Sequence, residues 1–400
     1  LKEICEAIQD MDPKSFANAA AGRLIKTPNG YWAFVPAPLP PPIRYDAETA
    51  LLLSQADAAL SELSGLGRYL PNPDLLIAPY VKREAIASSR IEGTRADLAD
   101  LLLDEIEPKR TPPGSDVPEV RNYVAALNRG IRELDKLPLS CRLVRNIHAV
   151  LMTGVRGHDK TPGEFRRGQN WIGPPGSTLA DATYVAPPVP EMHECLKHWE
   201  LFLHQHGQMP ELIQCALVHE HFEAIHPFLD GNGRIGRLLI TLFLIERGRL
   251  SKPLLYLSSY IEQHRAEYYD LLQRIRTHGD WPAWIRYFLT AVREIARGAI
   301  NQSQALLNLR DTFRQKLTRH HRAITLVDDL FINPYTTVAR AACSLGVTAP
   351  TASKTIRDLE HAGILKEVTG REWGRFWLAE PIMRALATPP EPPTPTEGQP

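Results

Sequence analysis

Neither sign of charge dominates this chain: Lys plus Arg and Asp plus Glu both number 46 in 400 residues, which excludes a globally polybasic or acidic protein. Cysteine is scarce. The five present (Cys5, Cys141, Cys195, Cys215, Cys343) are odd in number and widely scattered, with no C-x-x-C. That excludes a zinc knuckle and a disulfide framework and fits reduced thiols in a cytoplasmic setting. Long apolar runs are also missing. Leu238 to Ile245, interrupted by Thr241, falls far short of the roughly 20 residues that a membrane-spanning helix needs, so no membrane partner is expected. Leu1 to Glu6 lacks the basic region and apolar core of a secretory signal. No repeat with a period of roughly 20–50 residues is present.

What is present is ordinary for a globular protein: 44% hydrophobic and 23% charged residues, with proline as the outlier at 34. At roughly 100–200 residues per domain, the length predicts two to four domains. The prolines cluster at Pro36 to Pro42, Pro108 to Pro118, Pro187 to Pro190 and after Pro389, where boundaries are expected. Between the clusters, apolar residues recur at helical spacing in Ala50–Leu63, Val120–Leu134, Leu143–Leu151, Glu211–Ala224, Arg234–Arg247 and Ala266–Thr277. A mainly α architecture follows. Pro210 suits the first position of the helix through Leu212, Ile213, Ala216, Leu217 and Glu220.

That helix runs into His226-Pro227-Phe228-Leu229-Asp230-Gly231-Asn232-Gly233-Arg234-Ile235-Gly236-Arg237. Gly231 and Gly233 permit positive φ and close backbone approach, so successive N–H groups can converge on an anion where the next helix begins. Arg234 and Arg237 share a face of its first turn and can grip phosphate oxygens. Asp230 offers the single carboxylate typical of a phosphate-bound Mg²⁺, and His226 can be neutral near pH 7, as a base must be.

Taken together, these twelve residues resemble the signature H-P-F-x-[DE]-G-N-G-R-x-x-R of the Fic (filamentation-induced-by-cAMP) family, matched at every fixed position. The resemblance implies a helical Fic fold with a small β-hairpin flap that transfers AMP from ATP to a Ser, Thr or Tyr hydroxyl of a protein. His226 would be the base, Asp230 the Mg²⁺ ligand, and Asn232 with Gly233 the anion hole. The implied ATP site comprises Gly231, Asn232, Gly233, Arg234, Ile235, Gly236 and Arg237, with Tyr268 and Tyr269 where relatives contact adenine. Gly163 to Gly173 resembles the family's lead-in to its flap, and Thr183, Tyr184 and Val185 within Ala182 to Pro188 would hold the target by strand addition. Ser88-Ser89-Arg90-Ile91-Glu92-Gly93 matches the inhibitory pattern [ST]-x-x-x-E-[GN], with Ser88 and Glu92 at its fixed positions. Its carboxylate, paired with Arg237, would occupy the place of the γ-phosphate.

After Leu317, three short helical patterns (Ile324–Leu330, Thr336–Leu345, Ala349–His361) precede Leu365–Leu378, which alternates around Gly370 and Gly374. This resembles a winged helix-turn-helix domain with Thr348, Thr351, Ser353, Lys354 and Arg357 on the third helix and Arg371 and Arg375 on the wing. Arg319 to Arg384 carries nine Lys/Arg against seven Asp/Glu, too even for charge alone to indicate DNA. Docking to protein or a homodimer role competes with DNA binding there.

Two other constellations fail. His219-Glu220-His221-Phe222-Glu223 lacks the second histidine that H-E-x-x-H requires, and Gly154 to Thr161 has Asp159 where a Walker A loop needs glycine. The expected organisation is an N-terminal helical region over 1–110 with the inhibitory motif at 88–93, a Fic core over 111–305, a winged-helix-like domain over 306–387 and a disordered tail over 388–400. The expected activity is an autoinhibited, Mg²⁺-dependent protein adenylyltransferase whose target includes the chain itself. The competing reading is a DNA-binding regulator that uses the nucleotide pocket as a sensor, or an enzyme that transfers another nucleotide.

Overall fold

The computed structural model describes residues 13–16, 20–69, 73–108, 111–174, 176–179, 181–318 and 320–387. Cys5 and the expected disordered tail lie outside them. The chain is mainly helical. In order the elements are β1 (Gly22–Lys26), β2 (Trp32–Pro36), α1 (Ala47–Tyr69), α2 (Asp74–Ile91), α3 (Leu98–Ile106), α4 (Val117–Leu134), α5 (Cys141–Leu151), β3 (Trp171–Ile172) and β4 (Tyr184–Val185). There follow α6 (Val189–Leu203), α7 (Glu211–Ile225), α8 (Asn232–Glu246), α9 (Ser258–Gln263), α10 (Arg265–His278) and α11 (Trp281–Lys316). The chain continues with α12 (His321–Ile332), β5 (Tyr335–Thr336), α13 (Val338–Leu345), α14 (Ala349–His361), β6 (Lys366–Glu367), β7 (Trp377–Leu378) and α15 (Glu380–Ala387). They form two compact units, one of Leu1–Ala58, Asn122–Arg249 and Leu257–Arg293, the other of Ala59–Arg121, Leu250–Tyr256 and Glu294–Pro400.

In the first unit α7 is the central rod: every residue from Leu212 to Ile225 is buried. A helix buried on all sides must enclose its polar residues too, and His219, Glu220, His221 and Glu223 are all inside. Trp199, Phe228, Phe243 and Trp284 are almost fully buried as well, and the Trp199 and Trp284 indoles donate to the Val218 and Ala216 carbonyls of the helix. Pro210 sits one position before the helix, as its N-cap, rather than at its first residue. The following helix, α8, opens two residues earlier than Arg234 because left-handed Gly231 turns the chain directly into it. Gly248 stops α8 as expected, at φ +66, with its N–H on the Ile245 carbonyl and the Arg249 N–H on the Leu244 carbonyl.

One departure from the expected helical N-terminal region is the β1–β2 hairpin, paired from Gly22↔Pro36 to Lys26↔Trp32. Its cause is local: Asn29-Gly30 supplies the turn, with Gly30 at φ +89, between runs rich in aromatic and β-branched residues. Phe34 packs with Tyr184 and Ala186, and Ala33 with Ala182 and Val185, so the hairpin backs the β3–β4 segment.

The second unit holds α2, α3 and the C-terminal elements. Asp97 and Asp100 form a reciprocal capping box that starts α3. The buried Lys82 ammonium is satisfied by Glu105 at 2.7 Å and the Ile332 carbonyl at 3.0 Å. The antiparallel sheet in order β5–β7–β6 closes the C-terminal part, with β5 an addition to the two strands expected. Gly346 turns the chain between α13 and α14 at φ +62.

Candidate active site

The end of α7 places the imidazole. His226 is its C-cap, in a left-handed conformation (φ 48, ψ 60) that a residue with a Cβ rarely adopts. Its Nδ1 faces the Glu223 carbonyl at 3.3 Å. A carbonyl only accepts, so Nδ1 carries the hydrogen and Nε2 keeps the lone pair that a base needs.

Asn232 then folds the loop onto itself. Its Oδ1 accepts the Phe228 N–H and its Nδ2 donates to the Phe228 carbonyl, both at 2.8 Å. The Asn232 side chain is thereby consumed in shaping the loop, leaving the backbone of the helix opening for an anion. Gly231 (φ +80) is required twice, since a Cβ there would also lie 3.0 Å from Met152 Sδ and 3.3 Å from His148 Nε2. The first turn of α8 directs its N–H groups and positive dipole end out of this loop.

Asp230 accepts the Gly231 N–H at 2.6 Å, and its carboxylate lies 3.6 Å from the buried Arg234 guanidinium. Arg237, one turn further on, is also buried, and Ile235 is wholly in the core. Gly236 makes room for a carboxylate: a Cβ would come within 2.4 Å of Glu223 Oε1. Among the described residues no group of three or more His, Cys, Asp or Glu could cage a metal. Asp230 alone, its side chain 40% exposed, is a donor set suited to Mg²⁺ held mostly by phosphate oxygens and water.

Several positioning residues escaped the sequence reading. His148 on α5 receives the Gly163 N–H on Nδ1 at 2.8 Å, so its Nε2 carries hydrogen and donates to the Asp230 carbonyl at 3.0 Å. The ring stacks on Phe228 with centroids 3.7 Å apart. Burial pulls its pKa down to about 4, which keeps the ring neutral. Gly157 lies so close that a Cβ would meet Asp230 Oδ2 at 2.5 Å. The available signal for His148 is a polar residue within the apolar face Leu143, Val144, Ile147, Leu151 of α5.

The tyrosine pair divides. Tyr268 is a core side chain, 1% exposed, whose hydroxyl donates to His219 Nε2 at 3.0 Å while His219 Nδ1 donates to the Gly236 carbonyl at 2.9 Å. Tyr268 thus braces α8 through His219, and only Tyr269, 37% exposed, presents a ring at the surface. This also accounts for the histidines of the failed zinc pattern: His219 is a satisfied core residue with its pKa drawn to about 4 by burial. In β4, paired as Trp171↔Val185 and Ile172↔Tyr184, the side chains of Thr183, Tyr184 and Val185 are all buried. Ser88 is buried in α2, and Glu92 is that helix's exposed C-cap; both belong to the unit that does not contain His226.

The Fic/DOC family N-terminal profile matches residues 50–132, and the Fic/DOC family profile matches residues 138–244, the stretch that holds this loop. The chain carries a Fic domain. A probable protein adenylyltransferase of Aquifex aeolicus is 27% identical over 187 residues, covering 46% of this chain and 54% of that protein. The protein adenylyltransferase Fic of Drosophila mojavensis is 31% identical over 205 residues, 49% of this chain and 37% of that one. The chain thus spans about half or less of these curated relatives. In fold, it is similar to a Fic family protein from Desulfovibrio desulfuricans G20, with a TM-score of 0.56 at 21% identity over 85% of this chain and 98% of that one. A Fic domain containing signaling protein from Bacteroides thetaiotaomicron gives 0.51 at 17% identity over 62% and 95%. The Fic domain thus contains His226, the Gly231–Asn232 loop and both arginines within one matched segment. No helix among the described residues is long and apolar enough to cross a membrane.

Proposed function

We propose that this protein is an adenylyltransferase that moves AMP from ATP to a Ser, Thr or Tyr hydroxyl of a protein, itself included, and releases pyrophosphate. The observation that carries the reading is the turn from α7 to α8. Within twelve residues it brings together an imidazole whose Nδ1 faces a carbonyl, a helix N-terminus and two buried guanidiniums. The triphosphate binds against the N–H groups of Asn232, Gly233 and Arg234, with Arg234 and Arg237 on its outer oxygens. His226 Nε2 takes the proton as the hydroxyl oxygen bonds to the α-phosphorus, and the bond to the β-phosphate oxygen breaks. Mg²⁺, when bound at Asp230, would offset phosphate charge. Tyr269 is the tyrosine available to the adenine, and the β4 backbone the available edge for a target segment.

We further propose, on the sequence pattern at Ser88 and Glu92, that Glu92 acts as a brake on transfer. Incubation of wild type, Glu92→Gly and His226→Ala with Mg²⁺ and ATP labelled on the α-phosphate tests both ideas. Transfer should rise in Glu92→Gly and vanish in His226→Ala; equal labelling by wild type and Glu92→Gly removes the brake, and label retained by His226→Ala removes the mechanism.

The order α12, α13, α14, with the glycine turn at Gly346 and the β6–β7 hairpin beyond, supports a winged-helix reading of residues 306–387. Lys354, Arg357, Arg371 and Arg375 are exposed there, yet Lys366 is paired with Glu380, and Glu367 folds back on Thr369 and Gly370. Protein docking or a homodimer contact suits this mixed surface better than DNA. Retention on a DNA column at low salt would reverse that preference.

A further inference from the structure

We propose that Arg166 is a positioning residue that joins the end of α7 to both ends of the flap segment, so that a hydroxyl held on the flap meets His226 in fixed register. This rests on the transfer reading above. The observations begin at the helix end. An α-helix leaves its last carbonyls without intrahelical donors. At the end of α7 each one is met by a specific side chain. Glu223 O faces His226 Nδ1 at 3.3 Å, Ala224 O accepts from Tyr184 Oη at 2.6 Å, Ile225 O accepts from Arg166 Nη2 at 3.5 Å, and His226 O accepts from Arg166 Nε at 3.0 Å. The chain continues the pattern. Pro227 O accepts the Arg166 N–H at 2.9 Å, and Phe228 O accepts from Asn170 Nδ2 at 2.8 Å.

Every donor except the His226 imidazole and the Asn232 amide, which also reaches Phe228 O, comes from residues 166–184, within the flap segment. Arg166 also reaches across that segment: Nη1 donates to Gly168 O at 3.0 Å, at its start, and Nη2 to Pro187 O, at its end. One planar fork therefore ties four backbone sites, which a lysine's point charge cannot reproduce. Tyr184 is held in turn by the Arg276 guanidinium, 3.9 Å from its ring centroid.

The charge makes the arrangement unusual. Arg166 is 1% exposed, and the side chains that act on its charge, Tyr184, Tyr31 and Cys195, include no carboxylate. Among the described residues it is carbonyl dipoles that compensate the guanidinium. Burial pulls its pKa down to about 10, so the charge persists at neutral pH. A buried cation without a counterion is a costly way to close a loop. Fixing a left-handed His226 and a hairpin as one body is what it achieves.

The test uses the full chain and two variants, Arg166→Gln and Tyr184→Phe, with two readouts. Hydrogen exchange without nucleotide follows the segments 168–187 and 222–232; self-labelling follows transfer at saturating Mg²⁺-ATP. Arg166→Gln should accelerate exchange in both segments together, by about tenfold or more. It should lower the saturated labelling rate about a hundredfold, while the KM for ATP moves less than about threefold, since the phosphate loop itself is left intact. Acceleration of one segment only, or a KM for ATP that rises in step with the rate loss, overturns the coupling. If Arg166→Gln does not fold, Tyr184→Phe decides. It deletes one hydroxyl, and should accelerate both segments and slow labelling about tenfold; no change in either overturns the proposal. If neither the wild type nor Glu92→Gly labels, the transfer reading fails, while the exchange arm still tests the coupling; where only Glu92→Gly labels, the Arg166 and Tyr184 variants are compared in that background.

Discussion

Of the helices of this protein that end on a left-handed residue, α7 and α13 do so in opposite ways. At the end of α13, Gly346 (φ 62) closes the helix with local bonds only: its own N–H on Cys343 O at 3.2 Å and the Val347 N–H on Ala342 O at 3.0 Å. A Cβ at Gly346 would meet nothing within 4 Å. At the end of α7 the left-handed residue is His226, whose Cβ disfavours that conformation by about 1–2 kcal/mol. There the carbonyls are met by side chains from residues 166–184. A helix end that needs only to stop uses glycine and its neighbours. One that must hold an imidazole in a strained pose recruits donors from afar, and such strain gathers where chemistry is done.

The contrast can be broken most sharply at His226. Replacing it by Ala should lower transfer about a thousandfold or more, as expected for loss of a general base, with little effect on folding measured by urea titration. Acid should act next. The buried rings of His148 and His219 have their pKa drawn from 6.5 to about 4, so folding favours the neutral form. Their contribution is full above pH 6.5 and is lost as pH falls towards 4, by up to about 3 kcal/mol for each ring. For His148 the reason is geometric: a second proton would turn its Nδ1 from acceptor to donor against the Gly163 N–H. Urea midpoints should hold between pH 7.5 and 6.5 and then fall towards pH 4.5, less steeply in His148→Gln.

Smaller effects sharpen the same comparison. Gly231→Ala should cost about 1–3 kcal/mol, because it combines φ +80 with contact on Met152, and should raise the KM for ATP. Gly346→Ala should cost about 1–2 kcal/mol through its backbone alone, with transfer unchanged. His226→Gly closes the set: it should recover about 1 kcal/mol of stability while abolishing transfer, separating strain from function at one residue.

The twelve residues from His226 to Arg237 were legible because their chemistry is contiguous, and the helices around them because apolar periodicity is a local signal. In the H-E-H-F-E stretch, His219 is a brace between Gly236 and Tyr268. The β1–β2 hairpin was readable from Asn29-Gly30 but was subsumed in a region expected to be helical. Tyr268 and Tyr269, adjacent in the chain, could not be separated, because which ring faces inward depends on how α10 packs. His148, Gly157 and Arg166 carry no motif of their own.

The sequence by itself determined the mainly helical class, the loop with its histidine, carboxylate and paired arginines, and the glycine stops, since each depends on residues within a turn or two of one another. Tertiary structure alone decided which tyrosine is buried, and that the Arg166 guanidinium holds the end of α7. Those outcomes come from hydrogen bonds between residues about 60 apart in the chain, such as Arg166 to His226, whose geometry exists only once burial has removed water as the competing partner.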